Sequence, residues 1–406
     1  MLALLTLRFS LFLDFVALTI VIPLFAPVIL NPTAPLLNPS TSTEMRVIIL
    51  NLLMATYGLG QFISSPVIGT VSDHIGRKKS LLIVVFITLV SAFITALGFT
   101  HNHLELLFLG RLGVGIGSGI LAVLSATIYD IITDPTRRRI ELGYLTGAGA
   151  LGYIIGPFLG GVLSDNKIMA WFNDATPLWG LVIGYILLII LLPLVLHHPS
   201  KFVSPPNQKP IYYLKKIMNR FFDKQSIPIF IIYFLFTFSA EAYFASFILL
   251  SEEKLFLSSL SLGWVFAIGG LSSFIFLYGL NPILMKHFSI RKLFLIEAII
   301  LIGIYIISAF IFSVKELFVI MIIFSALSAL AWTHLIDIIC SQAAISDRGE
   351  MMGSASSYRS LSIILGPLVV SALANFNHAY LFLASTAAIF LAALLYVIFD
   401  FAHVVD

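Results

Sequence analysis

Apolar residues along this chain come in long blocks, and polar residues are confined to the gaps between them. A helix rises about 1.5 Å per residue, so about 20 mostly apolar residues cross the hydrocarbon core of a bilayer. Blocks of that kind lie at about 4–30, 45–70, 80–100, 104–132, 140–163 and 177–197. A second set lies at about 227–250, 261–284, 292–313, 317–340, 351–374 and 378–400. The pattern predicts an all-α membrane protein with about twelve spanning helices. The first block is too long for the core of a signal peptide and has no evident cleavage site, so it reads as the first span. Most gaps are too short to fold by themselves. The long one, 197–226, is rich in Pro and Lys and contains Tyr212-Tyr213-Leu214-Lys215-Lys216, which predicts a linker with an amphipathic segment on the membrane surface. The expected units are a first bundle over 1–196, the linker over 197–226 and a second bundle over 227–406.

The two bundles repeat one another. Gly69 and Gly279, Gly143 and Gly353, and the pairs Gly156-Pro157 and Gly366-Pro367 all recur at one offset of 210 residues. Internal repetition is a common device of secondary transporters. Composition agrees with a lipid-facing surface: 59% of the 406 residues are hydrophobic and 11% charged, against about 25% charged in a soluble domain. The net charge of +3 and the lack of a long basic run argue against a nucleic-acid partner. The lone cysteine, Cys340, excludes an intramolecular disulfide. Sixteen of the 23 Lys and Arg fall in the gaps after the even-numbered spans, against four on the opposite side (Arg46, Lys167, Lys254 and Lys315). Basic loops stay cytoplasmic, so both termini and the linker are expected in the cytoplasm, in the inner membrane of a bacterium.

The loop after the second span reads Gly69-Thr-Val-Ser-Asp73-His-Ile-Gly76-Arg77-Lys78-Lys79. Physically it ends a helix, turns at Gly76 and plants three cations at one membrane face. It also resembles, at every defining position, the signature between the second and third helices of the major facilitator superfamily. Span 4 contains Arg111-Leu-Gly113-Val-Gly115-Ile-Gly117, similar to the intramembrane Arg motif of proton-coupled members. Span 5 contains Gly152-Tyr-Ile-Ile-Gly156-Pro157-Phe-Leu-Gly160-Gly161, similar to the motif of antiporters. Span 1 places Asp14 nine residues before Pro23, as in many 12-helix drug/proton antiporters. The resemblance is to tetracycline and multidrug exporters and vesicular monoamine transporters. It covers both halves and is weaker in the second, where the matching loop keeps Gly279 and Arg291 and has no acid equivalent to Asp73.

The resemblance implies the major facilitator fold, two pseudo-symmetric six-helix bundles with a cavity between them walled by helices 1, 4, 7 and 10. It implies a latch in which Asp73 faces the start of helix 11, near 351–353, and Arg77 pairs with Asp130, with Gly69, Gly76 and Lys78 completing the turn. Without the family, Ala148, Gly152, Gly156 and Gly160 form a smooth stripe that lets helices approach closely, and Pro157 removes a backbone hydrogen bond and favours a kink. That stripe reads either as close packing alone or as a kinked seam on which the halves rock.

Charges inside spans cost about 2.5–3.5 kcal/mol at the bilayer centre even on the mild insertion scale, which makes them functional suspects. They are Asp14, Arg111, Glu241, Asp337 and Arg359, with His334 beside them. Asp14 and Glu241 read as proton carriers or as a buried structural pair. Asp337 reads as a partner of Arg359, a group reaching the cytoplasm, or a reserve proton carrier. His334 is a satisfied polar residue or a proton site. Arg111 keeps its proton and acts as a fixed charge. The expected cavity residues are Asp14, Phe15, Arg111, Tyr129, Glu241, Tyr243, Phe244, Trp332 and His334. His101-Asn-His103-Leu-Glu105 has metal-like residue types in a short loop with no further ligand nearby, so no metal is expected. Asn31-Pro-Thr and Asn38-Pro-Ser fail as glycosylation sites because of the central Pro. No nucleotide loop, metalloprotease motif or Ser-nucleophile motif is present.

The expected function is proton-coupled antiport, exporting a small, partly lipophilic compound by alternating access, with the proton as coupling ion and no cofactor. The expected partners are that substrate and the lipid bilayer, with the chain a monomer. Uptake of a nutrient or an iron-chelating metabolite on the same fold is the alternative, and a transporter-derived membrane sensor is a third reading.

Overall fold

The structure is a computed structural model describing residues 2–196, 226–310, 313–342, 348–374 and 380–399, with the side chains of 66, 69–71, 73, 74, 135, 136, 139, 140, 253 and 348–350 outside that description. The linker over 197–226, apart from Ser226, therefore lies outside the described residues, as do the side chains of Gly69 and Asp73.

Among the described residues there is no strand. The first half runs α1 (Leu2–Thr19), α2 (Ile22–Leu30), α3 (Thr43–Ile75), α4 (Arg77–His101), α5 (Leu104–Gly117), α6 (Ile120–Ile131), α7 (Pro135–Ser164) and α8 (Thr176–Val195). The second runs α9 (Ile227–Glu253), α10 (Ser259–Ile275), a π-helical turn (Phe276–Leu280), α11 (Asn281–His287), α12 (Ile290–Ser308), α13 (Val314–Ser341), α14 (Arg348–Ala374) and α15 (Leu383–Ile398). Ten stretches of the described residues are long and apolar enough to cross a membrane. The ninth span, α12, carries Arg291, Lys292 and Glu297, and the twelfth, α15, is a shorter apolar helix. The start predicted for the twelfth span, at 378, lies outside the described residues.

Apolar blocks do not reveal where a span breaks, and three spans do. In the first, α1 stops at Thr19 and α2 restarts at Ile22, with Pro23 in its opening turn, where a missing N–H costs least. The fourth breaks between α5 and α6 at Ser118-Gly119. In the eighth, the π turn is followed by Pro282 in the first turn of α11. Such turns widen a helix and often mark functional positions.

The opposite face from the basic loops is tied together by Arg46, which is 1% exposed. Its guanidinium donates to the carbonyls of Ile29 (2.9 Å), Asn38 (2.9 Å), Asn31 (3.2 Å) and Thr41 (3.2 Å). Asn31 and Asn38 each accept from the backbone and hydroxyl two residues on, at Thr33 and Ser40. These are side-chain turns of the kind Asn favours.

Two seams join the halves. Along α3 and α14, Asn51 donates to Ser371 Oγ (2.8 Å), Ser371 to the Val47 carbonyl (3.3 Å), Gly58 faces Ile363, and Ser360 donates to Gln61 Oε1 (3.2 Å). Along α7 and α10, Gly161 meets the backbone of Ser259 and Gly263, and Gly263 meets the Pro157 carbonyl. Both contacts of the second seam lie away from the basic loops. Towards those loops the same two spans part: a Cβ at Gly147 would reach only Tyr278 Oη at 3.5 Å, and one at Gly143 would meet open space. The halves are closed at the face of Arg46 and open at the face of the basic loops.

Candidate functional site

Between the halves lies a cavity of about 360 Å³. Its first-half wall comes from α1 and α2 (Leu11, Phe15, Ile22), α6 (Leu121) and α7 (Thr146 to Pro157). Its second-half wall comes from α9 (Phe236 to Phe244), α10 and the π turn (Phe266 to Tyr278), α13 (Met321 to Trp332) and Arg359 of α14. The expected walls, spans 1, 4, 7 and 10, are all represented. Spans 5 and 8 contribute more than the expectation allowed, because they part at the open face and turn Tyr153, Ile154, Phe274 and Tyr278 inward. The lining is mostly aromatic: Phe244 packs on Phe266 (5.9 Å between ring centres) and edge-on to Phe324 (5.1 Å), and Phe274 packs on Tyr278 (4.6 Å).

Four of the nine expected cavity residues line it: Phe15, Glu241, Phe244 and Trp332. Five do not. Tyr129 ends α6, 54% exposed, under the guanidinium of Arg138 at 4.5 Å. Tyr243 turns into the core of the second half behind the wall residue Phe324 (4.2 Å), stacked on Tyr305 (4.6 Å) and bonded to Ser308 Oγ (2.9 Å). One residue along a helix is about 100° of rotation, which is why Tyr243 and Phe244 diverge.

Asp14 and Arg111 sit inside the first half, beside the cavity and not on its wall. Asp14 is 8% exposed, and among the described residues its carboxylate has no hydrogen-bond or ion-pair partner. Arg111 donates to the Leu18 carbonyl at 3.2 Å, next to the break between α1 and α2. Its guanidinium lies 5.0 Å from the Tyr57 ring and 5.8 Å from Phe25. Tyr57 feels the charges of Asp14, Arg359 and Arg111 together. No intramembrane charge in the sequence pointed to Tyr57, which packs under the Arg111 guanidinium.

His334 is fully buried in the second half, between Glu297 (Nδ1 to Oε2, 3.0 Å) and Asn281 (Nε2 to Oδ1, 2.9 Å). This bridges α12, α13 and the start of α11 just past the π turn. The expectation that His334 lines the cavity is corrected: it faces its own bundle. Asp337, one turn on, is exposed and absent from the cavity wall, and within the same electrostatic reach as His334. Glu297 was legible by the charge-in-span rule. So was Arg8, which pairs with Glu141 across α1 and α7 and lies 4.5 Å over Tyr144.

At the basic face, Arg77 Nε lies 3.0 Å from Asp130 Oδ2, and its Nη1 donates to Ser72 Oγ at 2.6 Å. Lys78 donates to the Pro193 carbonyl at 2.9 Å. Gly76, between α3 and α4, adopts φ 91°, a conformation that side chains disfavour. The part of the latch assigned to Asp73 and 351–353 rests on a side chain outside the described ones.

The stripe of span 5 faces a different neighbour from the one the rocking reading required. A side chain at Gly152, Gly156 or Gly160 would strike Phe12, Thr19 or Ile20 of span 1, in the same half. The contacts with the other half are made by Pro157 and Gly161 against Gly263 and by Ile154 against Gly270. In span 4, Gly110, Gly113 and Gly117 admit Thr95, Ser91 and Thr88 of α4, and Gly115 admits the Tyr57 carbonyl of α3. Among the described residues no group of three or more His, Cys, Asp or Glu is placed to hold a metal ion.

Comparison with known proteins adds the family. Multidrug resistance protein 1 of Bacillus subtilis (strain 168) is 29% identical over 248 residues, 60% of this chain and 57% of that protein, so the chain spans less than two thirds of that relative. Multidrug resistance protein 2 of the same strain is 25% identical over 335 residues, 82% of this chain and 81% of that protein. Among solved structures, a D-xylose-proton symporter superposes with a TM-score of 0.75 at 16% identity, covering 96% of this chain and 95% of that one. The model of the Major Facilitator Superfamily matches residues 6–367. A chain whose described residues are helical spans gathered around a central cavity, and which is matched over most of its length, belongs to the Major Facilitator Superfamily: it is an integral, multi-pass membrane transporter and not an enzyme.

Proposed function

We propose that the protein is a proton-coupled antiporter that exports a small, partly lipophilic compound by alternating access. The observation that carries this reading is the cavity: an aromatic, mostly apolar space with two charged side chains, Glu241 and Arg359, in its wall. Clefts of this size with few placed polar groups suit drug-sized ligands. The likeness to the two multidrug resistance proteins supports export. The likeness to a sugar symporter, at 16% identity, speaks for the fold alone.

The basic face is assigned to the cytoplasm of a bacterium, with both termini there. In that orientation the cavity opens to the cytoplasm, where an exporter loads. Asp14 and Glu241 are the proposed proton carriers, with Asp337 in reserve and Arg111 as a fixed charge. The proton serves as coupling ion with no cofactor, and the chain works as a monomer in the bilayer. The latch holds the basic face shut in the alternate, outward-open state through Asp73 facing the start of α14, while the Arg77–Asp130 contact, formed here with that face open, steadies the loop that carries Asp73.

Purified protein in proteoliposomes with an imposed pH gradient provides the test. A fluorescent lipophilic compound should move against its own gradient, in the direction opposite to the proton. Accumulation in the same direction as the proton would replace export by uptake, and no proton-linked movement would remove the reading. Cysteines at Ser289 and Ser40, both exposed, fix the orientation in intact cells: only the Ser40 position should react with an impermeant reagent.

A further inference from the structure

Two unsatisfied charges of opposite sign share one apolar cavity, and this constrains what fits there. Arg359 and Glu241 both line it. Among the described residues neither reaches a hydrogen-bond or ion-pair partner, though each feels the other's charge. A guanidinium carries five N–H donors. That of Arg359 lies over the Trp332 ring at 5.8 Å, and Trp332 is fixed by its own bond to Tyr233 Oη at 3.0 Å. The cation is therefore steadied by an aromatic face while its donors stay unused. The backbone of Glu241 packs against Gly366 on α14. Gly366 is two helical turns from Arg359, so roughly 10 Å of helix separates the anchor points of the two charges. In this state the two side chains do not pair across that rise.

While the cavity is open, water satisfies both groups. When the halves close around a ligand, that water leaves, and a charge shut in without a partner is costly. A ligand with only a cation answers Glu241 and strands Arg359; one with only an anion does the reverse. We propose, resting on the reading of this cavity as the transport site, that it takes a zwitterionic aromatic compound with its two charges at opposite ends of a flat body. The anionic end forms a bidentate contact with Arg359, the cationic end meets Glu241, and the body lies among Phe244, Phe324 and Trp332.

The probes are 6-(aminomethyl)-2-naphthoic acid, its methyl ester, which keeps only the cation, and its N-acetyl derivative, which keeps only the anion. Binding is followed by naphthalene fluorescence on the full chain in lipid nanodiscs, with no proton gradient. Loss of binding preference here is thereby separable from loss of proton-driven export in vesicles. The zwitterion should bind about tenfold or more tightly than either derivative, the worth of one charge-assisted contact. Arg359→Gln should abolish the preference over the ester alone, and Glu241→Gln the preference over the N-acetyl acid alone. Arg359→Lys, which keeps the charge and loses the fork, should retain part of the first preference and control for misfolding. The proposal is overturned if the wild type binds a singly charged derivative as tightly as the zwitterion, if both preferences survive the Gln variants, or if none of the three binds at millimolar concentration.

Discussion

The intramembrane charges differ in their surroundings: Arg111 and His334 are held by hydrogen bonds, while among the described residues Asp14, Glu241 and Arg359 have no hydrogen-bond or ion-pair partner. Asp14 and Arg111 belong to the same half, and Arg111 is anchored on the Leu18 carbonyl of the helix that carries Asp14. Rigid rocking of the halves leaves that pair's separation nearly unchanged. What rocking does change is the distance from these groups to Glu241 and Arg359 in the opposite half. Asp14→Asn and Glu241→Gln should each abolish accumulation driven by a pH gradient while leaving substrate exchange without a gradient at least partly intact. Normal concentration of substrate by both variants would place the proton path elsewhere. At the basic face, the Arg77–Asp130 contact of 3.0 Å predicts that Arg77→Asp or Asp130→Arg alone slows transport severalfold. The double exchange should recover part of that loss, and additive losses in the double variant would mean that the two do not act as a pair.

At the scale of elements, close approach is the rule within the first half. The Gly-rich run of span 4 is used up in packing against spans 2 and 3, and the stripe of span 5 in packing against span 1. Lipid offers no hydrophobic drive to bring helices together, so small residues and backbone contacts do that work. The loops at the closed face rely on a different device. Arg46 makes four bonds to carbonyls of one loop and the end of α2, and a hydrogen bond to a charged group contributes about 1.5–3 kcal/mol. Arg46→Met should therefore cost about 3 kcal/mol or more and lower the thermal midpoint of the purified protein by several degrees. Ligand binding in the distant cavity should persist in the surviving folded fraction. An unchanged midpoint would show that water replaces those bonds at no loss.

For the whole molecule, the two seams define one state, sealed at the face of Arg46 and open at the basic face. Asn51 and Ser371 hold part of that seal, 2.8 Å apart. With Cys340 changed to Ser, the pair Asn51→Cys and Ser371→Cys should crosslink readily under mild oxidation. Transport should stop on crosslinking and return on reduction, because the alternate state requires α3 and α14 to part there. Undiminished transport by a fully crosslinked sample would mean that this seam does not open during the cycle. The parting of α7 from the π turn at Gly147 and Tyr278 marks the other end of the same motion, where Asn281 ties the break in span 8 to His334 and Glu297.

The spans were legible in the residue order, because lipid demands about 20 apolar residues per crossing wherever the chain folds, and ten of the expected stretches qualify among the described residues. The contact between Arg77 and Asp130 was expected only from the family resemblance, since the two lie 53 residues apart. Charges within apolar runs identify themselves by their cost, and that rule reaches Glu241 and Arg359; it applies equally to Glu297 and Arg8, whose roles the packing reveals. Rotation about each helix is another matter. Tyr243 and Phe244 are neighbours in sequence and both pack on Phe324, yet only Phe244 reaches the cavity, and the apolar periodicity that resolves such choices in a soluble helix is weak when both lipid and core are apolar. The breaks in spans 1, 4 and 8 likewise depend on which carbonyls find partners, as Leu18 does in Arg111. The sequence by itself determined that a membrane is crossed and which charges enter it. Only the packing of one helix on another decided that Glu241 and Arg359 share a cavity while Asp14 and His334 do not.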